Sequence, residues 1–534
     1  MVGVAGKSQA CNTCRLKRLK CDMTRPFCLK CIKSKRQCTG YGRDLIFVNR
    51  TPSCPSTTAM SVLSELRAQE VPKRAAPNPK AEATLHKLFS ESSHNCREFR
   101  MYAVELLEAM YLPKQSVSTC SEGSFSWVYH VTDLNEPSES LDTALFAFCL
   151  AQLHVTGTGG PSLYQCLDQY NTALQHLYSD LADSEKRFRE ETLATIVVLS
   201  TCELFVCPAE NGWSVHARGI AEILRLRDPG MKSTPAWRHL FSRMRIVCTL
   251  EALTKRQAQI LENDIWRQIV TESGLTVALD EVYRMIADFP GILERAVALP
   301  SISDQSVLLK ESAAVTQSIL AMVESVESWH DAFWKASPTP RSWSVPSRAV
   351  NPADADPSNK IFPFCFEFES LGVAVPVVMC WSVGTQLYST VIQIYNLVQA
   401  RLGRQIDLQD LLSQADATVI DVASPSESSK QNAPLSNAGT GRSIQDIQSE
   451  GTRMARYVCQ SMEYFHRIEM GTYGGHATTY PSWSARQYFR LHPGHEREWL
   501  WIQNMHMMEG PNTRWGLSMM TFADIAEPLG GWSR

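Results

Sequence analysis

The sequence lacks a long uninterrupted hydrophobic run. Its most apolar stretch, residues 371–383, is 13 residues long and contains Pro376. A helix needs about 20 apolar residues to cross a bilayer, so we interpret this stretch as a buried helix and expect no membrane partner. Alternating patterns typical of strands are also nearly absent, whereas apolar residues recur at spacings of three and four along most of the chain. The sequence therefore predicts a large all-α body.

The body also lacks the motifs of common catalytic sites. Residues 157–160 lack the Lys-Ser/Thr of a phosphate-binding loop and the preceding strand of a dinucleotide site, so we interpret them as a turn. His492, His495 and Glu496 do not match the HExxH pattern of zinc proteases, and no GxSxG elbow is present. We therefore expect that the protein is not an enzyme.

No secretory leader is recognisable at the start of the sequence, where residues 1–10 are interpreted as a flexible tail. We therefore expect the chain to remain in a reducing compartment, where clustered cysteines bind metal rather than form disulfides. Eleven of the 17 cysteines, from Cys54 to Cys459, follow no repeated spacing and are interpreted as buried thiols.

The other six cysteines form a repeated pattern near the N-terminus. The unit C-x2-C-x6-C occurs twice there, at Cys11, Cys14, Cys21, Cys28, Cys31 and Cys38. Thiolates suit structural zinc, which takes four ligands in a tetrahedron with Zn–S distances of about 2.3 Å. The spacing does not match that of ferredoxin iron–sulfur sites. The pattern therefore predicts a metal-stabilised module that binds zinc.

The number of cysteines indicates how many ions the module holds. Two tetrahedral ions need eight ligand positions, and six thiolates supply them if two thiolates bridge. The symmetry of the repeat favours Cys11 and Cys28 as the bridges. One ion would then take Cys11, Cys14, Cys21 and Cys28, and the other Cys11, Cys28, Cys31 and Cys38. We therefore expect two Zn²⁺ per module.

Positive charge is concentrated in the same region. Residues 1–50 carry a net charge of +10, and residues 51–534 carry −13. A basic N-terminal segment on an acidic body predicts that this segment contacts a polyanion. Residues 33–36, Lys-Ser-Lys-Arg, and the pair Lys73-Arg74 could also serve in nuclear import.

The cysteine spacing resembles the binuclear zinc cluster domain of fungal transcription factors. Basic residues in the segment after the first CxxC and Pro26 in the loop between the halves extend the likeness. The resemblance implies a small domain with two short helices, the first of which enters the major groove and reads a CGG triplet. It also implies residue roles, with Lys17 and Arg18 reaching base edges and Arg15, Lys20 and Lys30 approaching phosphates.

The residue chemistry agrees with this resemblance. Lys and Arg hydrogen-bonding to guanine are the commonest specific major-groove contacts. We therefore expect a sequence-specific DNA-binding regulator of RNA polymerase II genes in the nucleus, with a metabolic or secondary-metabolite gene set as its targets. The alternative from another class is an enzyme or scaffold that uses the zinc module for docking.

The helical body resembles the fungal-specific regulatory domain that follows such clusters. The likeness rests on residues 191–200, on Trp213, His216 and Gly219, and on the closing residues Tyr480 and Trp499. We interpret His216 as a core or helix-start histidine and Gly219 as a site of close helix packing. Expected partners are double-stranded DNA and the transcription machinery or co-regulators; a homodimer and a small-molecule effector are left open.

Composition predicts the domain boundaries. We expect a tail at 1–10, the zinc cluster at 11–43, a linker at 44–80, the regulatory domain at 81–509 with a disordered insertion at about 414–442, and a tail at 510–534. The predicted helices are Ala81–Phe89, Glu98–Met110, Ser140–Leu153, Tyr164–Ala182, Glu190–Phe205, Ser214–Leu226, Ala236–Leu261, Leu279–Ala287, Ser306–Trp334, Phe366–Ala400, Ile447–Glu469 and Ala485–Glu509. Joints between helices are predicted at Gly471–Gly475 and at Pro493-Gly494, among others.

Overall fold

The structure is a computed structural model of the 534-residue chain. It describes residues 14, 19–21, 29–34, 96–114, 125–157, 161–206, 212–227, 234–259, 278–354, 358–415, 441–515 and 529. The chain divides into two compact units, Met1–Glu70 and Val71–Arg534, and each is described by itself. In the first unit the described helix is α1 (Leu29–Lys33).

The second unit, the body, is mostly helical. Its first helices are α2 (Cys96–Met110), α3 (Trp127–His130), α4 (Glu139–Val155), α5 (Leu163–Ala182), α6 (Glu190–Val206), α7 (Gly212–Leu226), α8 (Pro235–Lys255), α9 (Ala278–Met285), α10 (Phe289–Ala298) and α11 (Gln305–Lys335). After two strands follow α12 (Leu371–Leu402), α13 (Leu408–Leu412), α14 (Ile444–Phe465), α15 (Gly471–Ala477), α16 (Thr479–Leu491) and α17 (Glu496–Gln503). Short 3₁₀ turns occupy Val131–Asp133, Leu299–Ser301, Ile468–Met470 and Met505–Met507.

Most of the predicted helices are confirmed to within three residues at each end. Capping side chains and an N-terminal proline explain where several of these helices begin. Ser162 and Gln165 form a capping box before α5, and Thr234 caps α8, whose first residue is proline. Helix α8 ends at Lys255, six residues before the predicted end, and the predicted helix Ala81–Phe89 lies outside the described residues.

Two helices form the centre of the body. Residues 191–206 of α6 are all buried, and 24 of the 32 residues of α12 are buried. Helices that are apolar on every side belong inside a protein. Helices α11 and α12 are long and apolar enough to cross a membrane by composition, but 94% of the apolar window of α12 is buried within the body. We therefore interpret α12 as the core helix of the body.

Glycine lets α12 and α14 approach each other closely. A Cβ at Gly384 of α12 would overlap the sulfur of Met454 on α14. One at Gly451 of α14 would lie 3.1 Å from the Cβ of Tyr388 on α12, and 2.8 Å from the ring of Tyr488 on α16. The expectation for Gly219 was wrong. This glycine is exposed on α7 and has no atom within 4 Å of the place where a Cβ would stand.

The all-helical expectation requires a correction at the predicted helix Phe366–Ala400. The chain forms strand β2 (Phe364–Phe368) and only then helix α12, which begins after Ser370. Strand β2 pairs antiparallel with β1 (Ser342–Pro346), in a register that runs from Ser342↔Phe368 to Pro346↔Phe364. Hydrophobic packing selects the strand, because the Phe366 ring lies 5.5 Å from Trp381 of α12 and 5.3 Å from Tyr457 of α14.

The predicted helix Ala485–Glu509 was also wrong, because it is two helices. Helix α16 ends at Leu491, Gly494 adopts a left-handed φ of 85°, and α17 begins at Glu496. This backbone conformation interrupts a helix and favours glycine. Residues 471–475 were predicted as a joint and instead lie in helix α15, and the helix predicted at Ile447–Glu469 ends at Phe465.

The predicted boundary at residue 509 comes too early. Trp515 is buried and its ring stacks on that of His466 at 4.6 Å, and the amide of Arg514 donates to the His466 carbonyl at 2.7 Å. Leu529 is buried as well, and its amide donates to the side chain of Gln393 at 3.2 Å. Residues 510–515 therefore belong to the packed body.

The predicted disordered insertion at about 414–442 falls mostly outside the described residues. Its last residue, Arg442, is described and forms an ion pair with Glu327 of α11. Arg442 also donates to the hydroxyl of Tyr388 on α12 at 2.7 Å. The C-terminal end of this segment is therefore fixed to the core helices.

Candidate zinc centre and nucleic-acid interface

Three of the six predicted zinc ligands lie in the described part of the chain. Cys14 is helical and buried, Cys31 is buried in the middle of α1, and Cys21 is half-buried. The Sγ atoms of Cys14 and Cys31 lie 3.7 Å apart. The two residues are the second cysteines of the two halves of the repeat, so the chain brings equivalent positions together across 17 residues.

The separation of these sulfurs fits shared metal ligation. A disulfide would hold them about 2.05 Å apart. Two thiolates on one tetrahedral zinc, with Zn–S of about 2.3 Å, lie about 3.8 Å apart. The described thiols therefore fit a zinc centre.

The assignment of ligands to individual ions remains a prediction. The scheme drawn from the repeat places Cys14 and Cys31 on different ions, whereas 3.7 Å is the separation of two ligands of one ion. The proposed bridges, Cys11 and Cys28, lie outside the described residues, as does Cys38. Zinc bound there would supply a fixed tetrahedral anchor for the flanking helical segments.

Basic side chains project from the segments that carry the buried thiols. Lys30 is exposed on α1 directly before the buried Cys31, and Lys33 is exposed three residues later, on the same face of the helix as Lys30. The side chain of Ser34 donates to the carbonyl of Lys30 at 2.7 Å and closes the end of this short helix. Helix α1 therefore points a thiol inward and ammonium groups toward water.

In the first half of the repeat, an exposed lysine also lies next to a cysteine. Lys20 is exposed next to the half-buried Cys21. The amide of Leu19 donates to the carbonyl of Cys14 at 2.8 Å, which turns the chain back after the helical residue. The other predicted DNA contacts, Arg15, Lys17 and Arg18, lie outside the described residues.

Sequence reasoning did not assign Lys33 to the interface. Its spacing from Lys30 was a usable signal, because residues three apart share one face of a helix. Lys33 was instead counted in the positive charge of the second half of the repeat and considered for nuclear import.

In the body, His216 is partly buried and contacts two neighbouring helices, which agrees with the interpretation as a core or helix-start histidine. Its Nε2 atom lies 2.7 Å from a carboxylate oxygen of Glu203 and 2.8 Å from the hydroxyl of Tyr170. This cluster joins helices α5, α6 and α7. Among the described residues, no group of three His, Cys, Asp or Glu side chains is placed to hold a metal ion.

Comparisons with known proteins give the family. Residues 9–45 match the fungal Zn(2)-Cys(6) binuclear cluster domain, which binds two zinc ions. Residues 115–416, more than half of the chain, match the fungal specific transcription factor domain. The chain belongs to this family. No solved structure matches it significantly.

Known proteins that are similar to this chain include named transcription regulators. An uncharacterized transcriptional regulatory protein of Schizosaccharomyces pombe is 32% identical over 27% of this chain and 24% of the relative. The aspercryptin biosynthesis cluster-specific transcription regulator of Emericella nidulans is 25% identical over 51% of this chain and 43% of the relative. The acriflavine sensitivity control protein of Neurospora crassa is 44% identical over 10% of this chain and 9% of the relative. The chain thus spans less than half of the length of each of these relatives.

Proposed function

We propose that the protein is a zinc-dependent, sequence-specific DNA-binding regulator of RNA polymerase II genes that acts in the nucleus. It works by binding DNA and partner proteins rather than by catalysis. The proposal rests on one observation above all, the pair of buried thiols at Cys14 and Cys31 with exposed lysines on the segments that carry them. Family membership and the names of the relatives support it.

Zinc provides rigidity in this proposal, and the chain's own lysines provide recognition. A short helix whose thiols are held by metal keeps its remaining side chains in a fixed orientation. Lys20 and Lys30 neutralise DNA phosphates, which sets position and affinity without reading sequence. Lys17 and Arg18 hydrogen-bond to guanines of a CGG-type triplet in the major groove.

The domain organisation follows from the separate roles proposed for the zinc cluster and the helical body. The cluster at 11–43 contacts DNA, residues 44–80 act as a linker, and the helical body from about residue 81 receives regulatory signals and contacts co-regulators. The Emericella nidulans relative is named for a biosynthesis cluster, which supports a metabolic or secondary-metabolite gene set as the target.

Genome-wide mapping of bound sites, paired with transcript changes after deletion of the gene, tests the proposal. The expected result is enrichment of CGG triplets under the bound sites, with altered transcription of the neighbouring genes. Bound sites without a shared CGG triplet, or unchanged transcripts beside them, would contradict it. Recurrent spacing between two triplets would show that the protein binds as a dimer.

A further inference from the structure

Strand β1 has an outer edge that pairs with no other strand in the part of the chain that the structure describes. On its inner side it pairs with β2, and the two strands form a sheet of their own. Residues 338–340 before the strand and Pro346 at its end are exposed, as are Trp343 and Ser344 within it. The outer edge of β1 therefore faces water.

The hydrogen bonds at the two ends of the sheet show which residues of β1 face that edge. The amide of Glu369 donates to the carbonyl of Arg341 at 2.9 Å, and the amide of Ser347 donates to the carbonyl of Pro363 at 2.9 Å. In an antiparallel ladder, every second residue bonds to the same neighbouring strand. The odd-numbered residues of β1 therefore bond to β2, and the even-numbered residues direct their amides and carbonyls to the outer edge.

The even-numbered residues along this edge are two serines between two prolines: Pro340, Ser342, Ser344 and Pro346. Proline has no amide hydrogen, so only the serines can donate to another strand. Among the described residues, no partner is recorded for the amide or the carbonyl of either serine. A strand that pairs here is therefore limited to a short match with Ser342 and Ser344.

This short edge is complementary to a second copy of itself. With two β1 strands antiparallel about a two-fold axis at Trp343, Ser342 lies opposite Ser344 of the partner subunit, and the reverse. Each of these two pairs exchanges two hydrogen bonds, so every serine amide and carbonyl on the edge is paired. A register centred on either serine would instead place a proline opposite the other serine and leave its carbonyl without a donor.

The same register buries an exposed aromatic side chain. Trp343 is 48% exposed in the single chain. Residues that lie opposite each other between hydrogen-bonded pairs have Cα atoms about 4.5 Å apart, so the two Trp343 side chains would pack on each other. Aromatic pairs at such positions stabilise antiparallel strands.

The charges near the edge permit this approach. Arg341 would lie opposite Val345 of the partner subunit, so the two Arg341 side chains would be separated by ~13 Å along the strands. Glu367, which pairs with Trp343 in the sheet, is neutralised by Arg467 of the same chain. No like charges therefore meet at the axis.

We propose that β1 pairs with β1 of a second chain and joins two bodies through one four-stranded antiparallel sheet. The contact consists of two serine pairs and one tryptophan pair, far less than the interface of a permanent dimer, so we expect weak, reversible association in free solution. Two chains held on neighbouring DNA sites would associate more readily, because tethering raises their effective concentration. This last role rests on the proposed function.

Sedimentation equilibrium of the zinc-loaded full chain without DNA tests the association. We expect a monomer–dimer equilibrium. Ser344→Pro should raise the dimer Kd at least about tenfold, because proline removes an outward amide and leaves the bonds to β2 in place. The matched control is Phe364→Ser on β2, where Phe364 is 52% exposed but lies on the inner strand. A wild-type chain that stays monomeric up to its highest soluble concentration, or an unchanged Kd in Ser344→Pro, overturns the proposal.

A cysteine cross-link locates the two-fold axis and covers the case in which Ser344→Pro does not fold. Trp343→Cys would place two thiols opposite each other, at a Cα separation of about 4.5 Å that a disulfide can bridge. Mild oxidation should therefore give a covalent dimer that a reducing agent reverses. Phe364→Cys, at a similarly exposed position, should give no more dimer than the wild-type chain with its native cysteines. Equal cross-linking of the two variants overturns the proposal.

Binding of each variant to a duplex with a single CGG triplet separates this proposal from the proposed function. The variants should bind it as the wild-type chain does, because the edge lies in the body. A monomeric wild-type chain that still binds this duplex overturns the dimer alone. A monomeric chain in which Ser344→Pro abolishes binding of a co-regulator would assign the edge to a foreign strand and would also overturn the proposal.

Discussion

The Sγ atoms of Cys14 and Cys31 lie 3.7 Å apart, although 17 residues separate them in the chain. This distance is that of two thiolates on one tetrahedral zinc and not that of a disulfide. It supports the proposal that metal holds the two halves of the repeat together, and the exposed Lys30 lies directly before Cys31.

Replacing Cys14 with serine should remove zinc and DNA binding together. Serine cannot supply a thiolate, so native mass spectrometry should show fewer than two zinc ions per chain. Affinity for a CGG duplex should fall by at least about tenfold, because the module folds on its metal. Cys96→Ser is the control, since Cys96 lies in the body at the start of α2. Full zinc content in Cys14→Ser would contradict the proposed ligation.

Replacing Lys20 or Lys30 with alanine should weaken DNA binding without changing its specificity. Each lost phosphate contact should lower the slope of log K against log salt by about 0.9. Lys335→Ala is the control, because Lys335 is exposed at the end of α11 in the body. Fluorescence anisotropy over a salt series checks this expectation. A change in preference between CGG and a scrambled triplet would instead show that these lysines read bases.

Gly219 and Gly451 should respond in opposite directions to alanine. Gly219 is exposed and open, so Gly219→Ala should raise the free energy of unfolding by about 0.5–1 kcal/mol through helix propensity. Gly451→Ala should lower stability, because its methyl group would overlap Tyr488. Urea denaturation midpoints of the two variants measure the difference. A stable Gly451→Ala protein would show that α14 and α16 are not packed as described.

The Glu327–Arg442 pair should stabilise the body only above acidic pH. Burial acts to raise the pKa of Glu327, but hydrogen bonds from Arg442 and Tyr388 outweigh it and hold the pKa below its usual value. A carboxylate with a lowered folded-state pKa contributes stability above its unfolded value of about 4.3 and loses it as the pH falls through the folded value.

Glu327→Gln should therefore lower the free energy of unfolding by about 1 kcal/mol at pH 7, and by less at pH 3. The control is Glu222→Gln, whose exposed pair with Arg225 should contribute little at either pH. An equal loss for Glu327→Gln at both pH values would show that charge is not responsible.

Sequence periodicity predicted most helices of the body because their apolar positions are fixed by burial. It failed where distant contacts decide the local structure. Phe366 and its neighbours have an apolar composition that suits a helix or a strand, and packing on Trp381 and Tyr457 selects the strand. The helix Ala485–Glu509 was drawn through a Pro-Gly pair that marks its interruption.

The candidate zinc centre was more accessible to sequence reasoning than the side-chain contacts inside the body. Metal ligands near one another in the chain leave a spacing that can be counted. Tyr170, Glu203 and His216 come from three separate helices, and no local spacing predicts that their side chains meet.

Binding of the full chain to DNA tests the central claim most directly. The measurement is the ratio of Kd values for a CGG-containing duplex and one with the triplet scrambled, for the zinc-loaded protein and after chelation. We expect at least about tenfold preference for CGG with zinc, loss of that preference on chelation, and its return when zinc is restored. Equal affinity for the two duplexes with zinc bound, or a preference that survives chelation, would contradict the account.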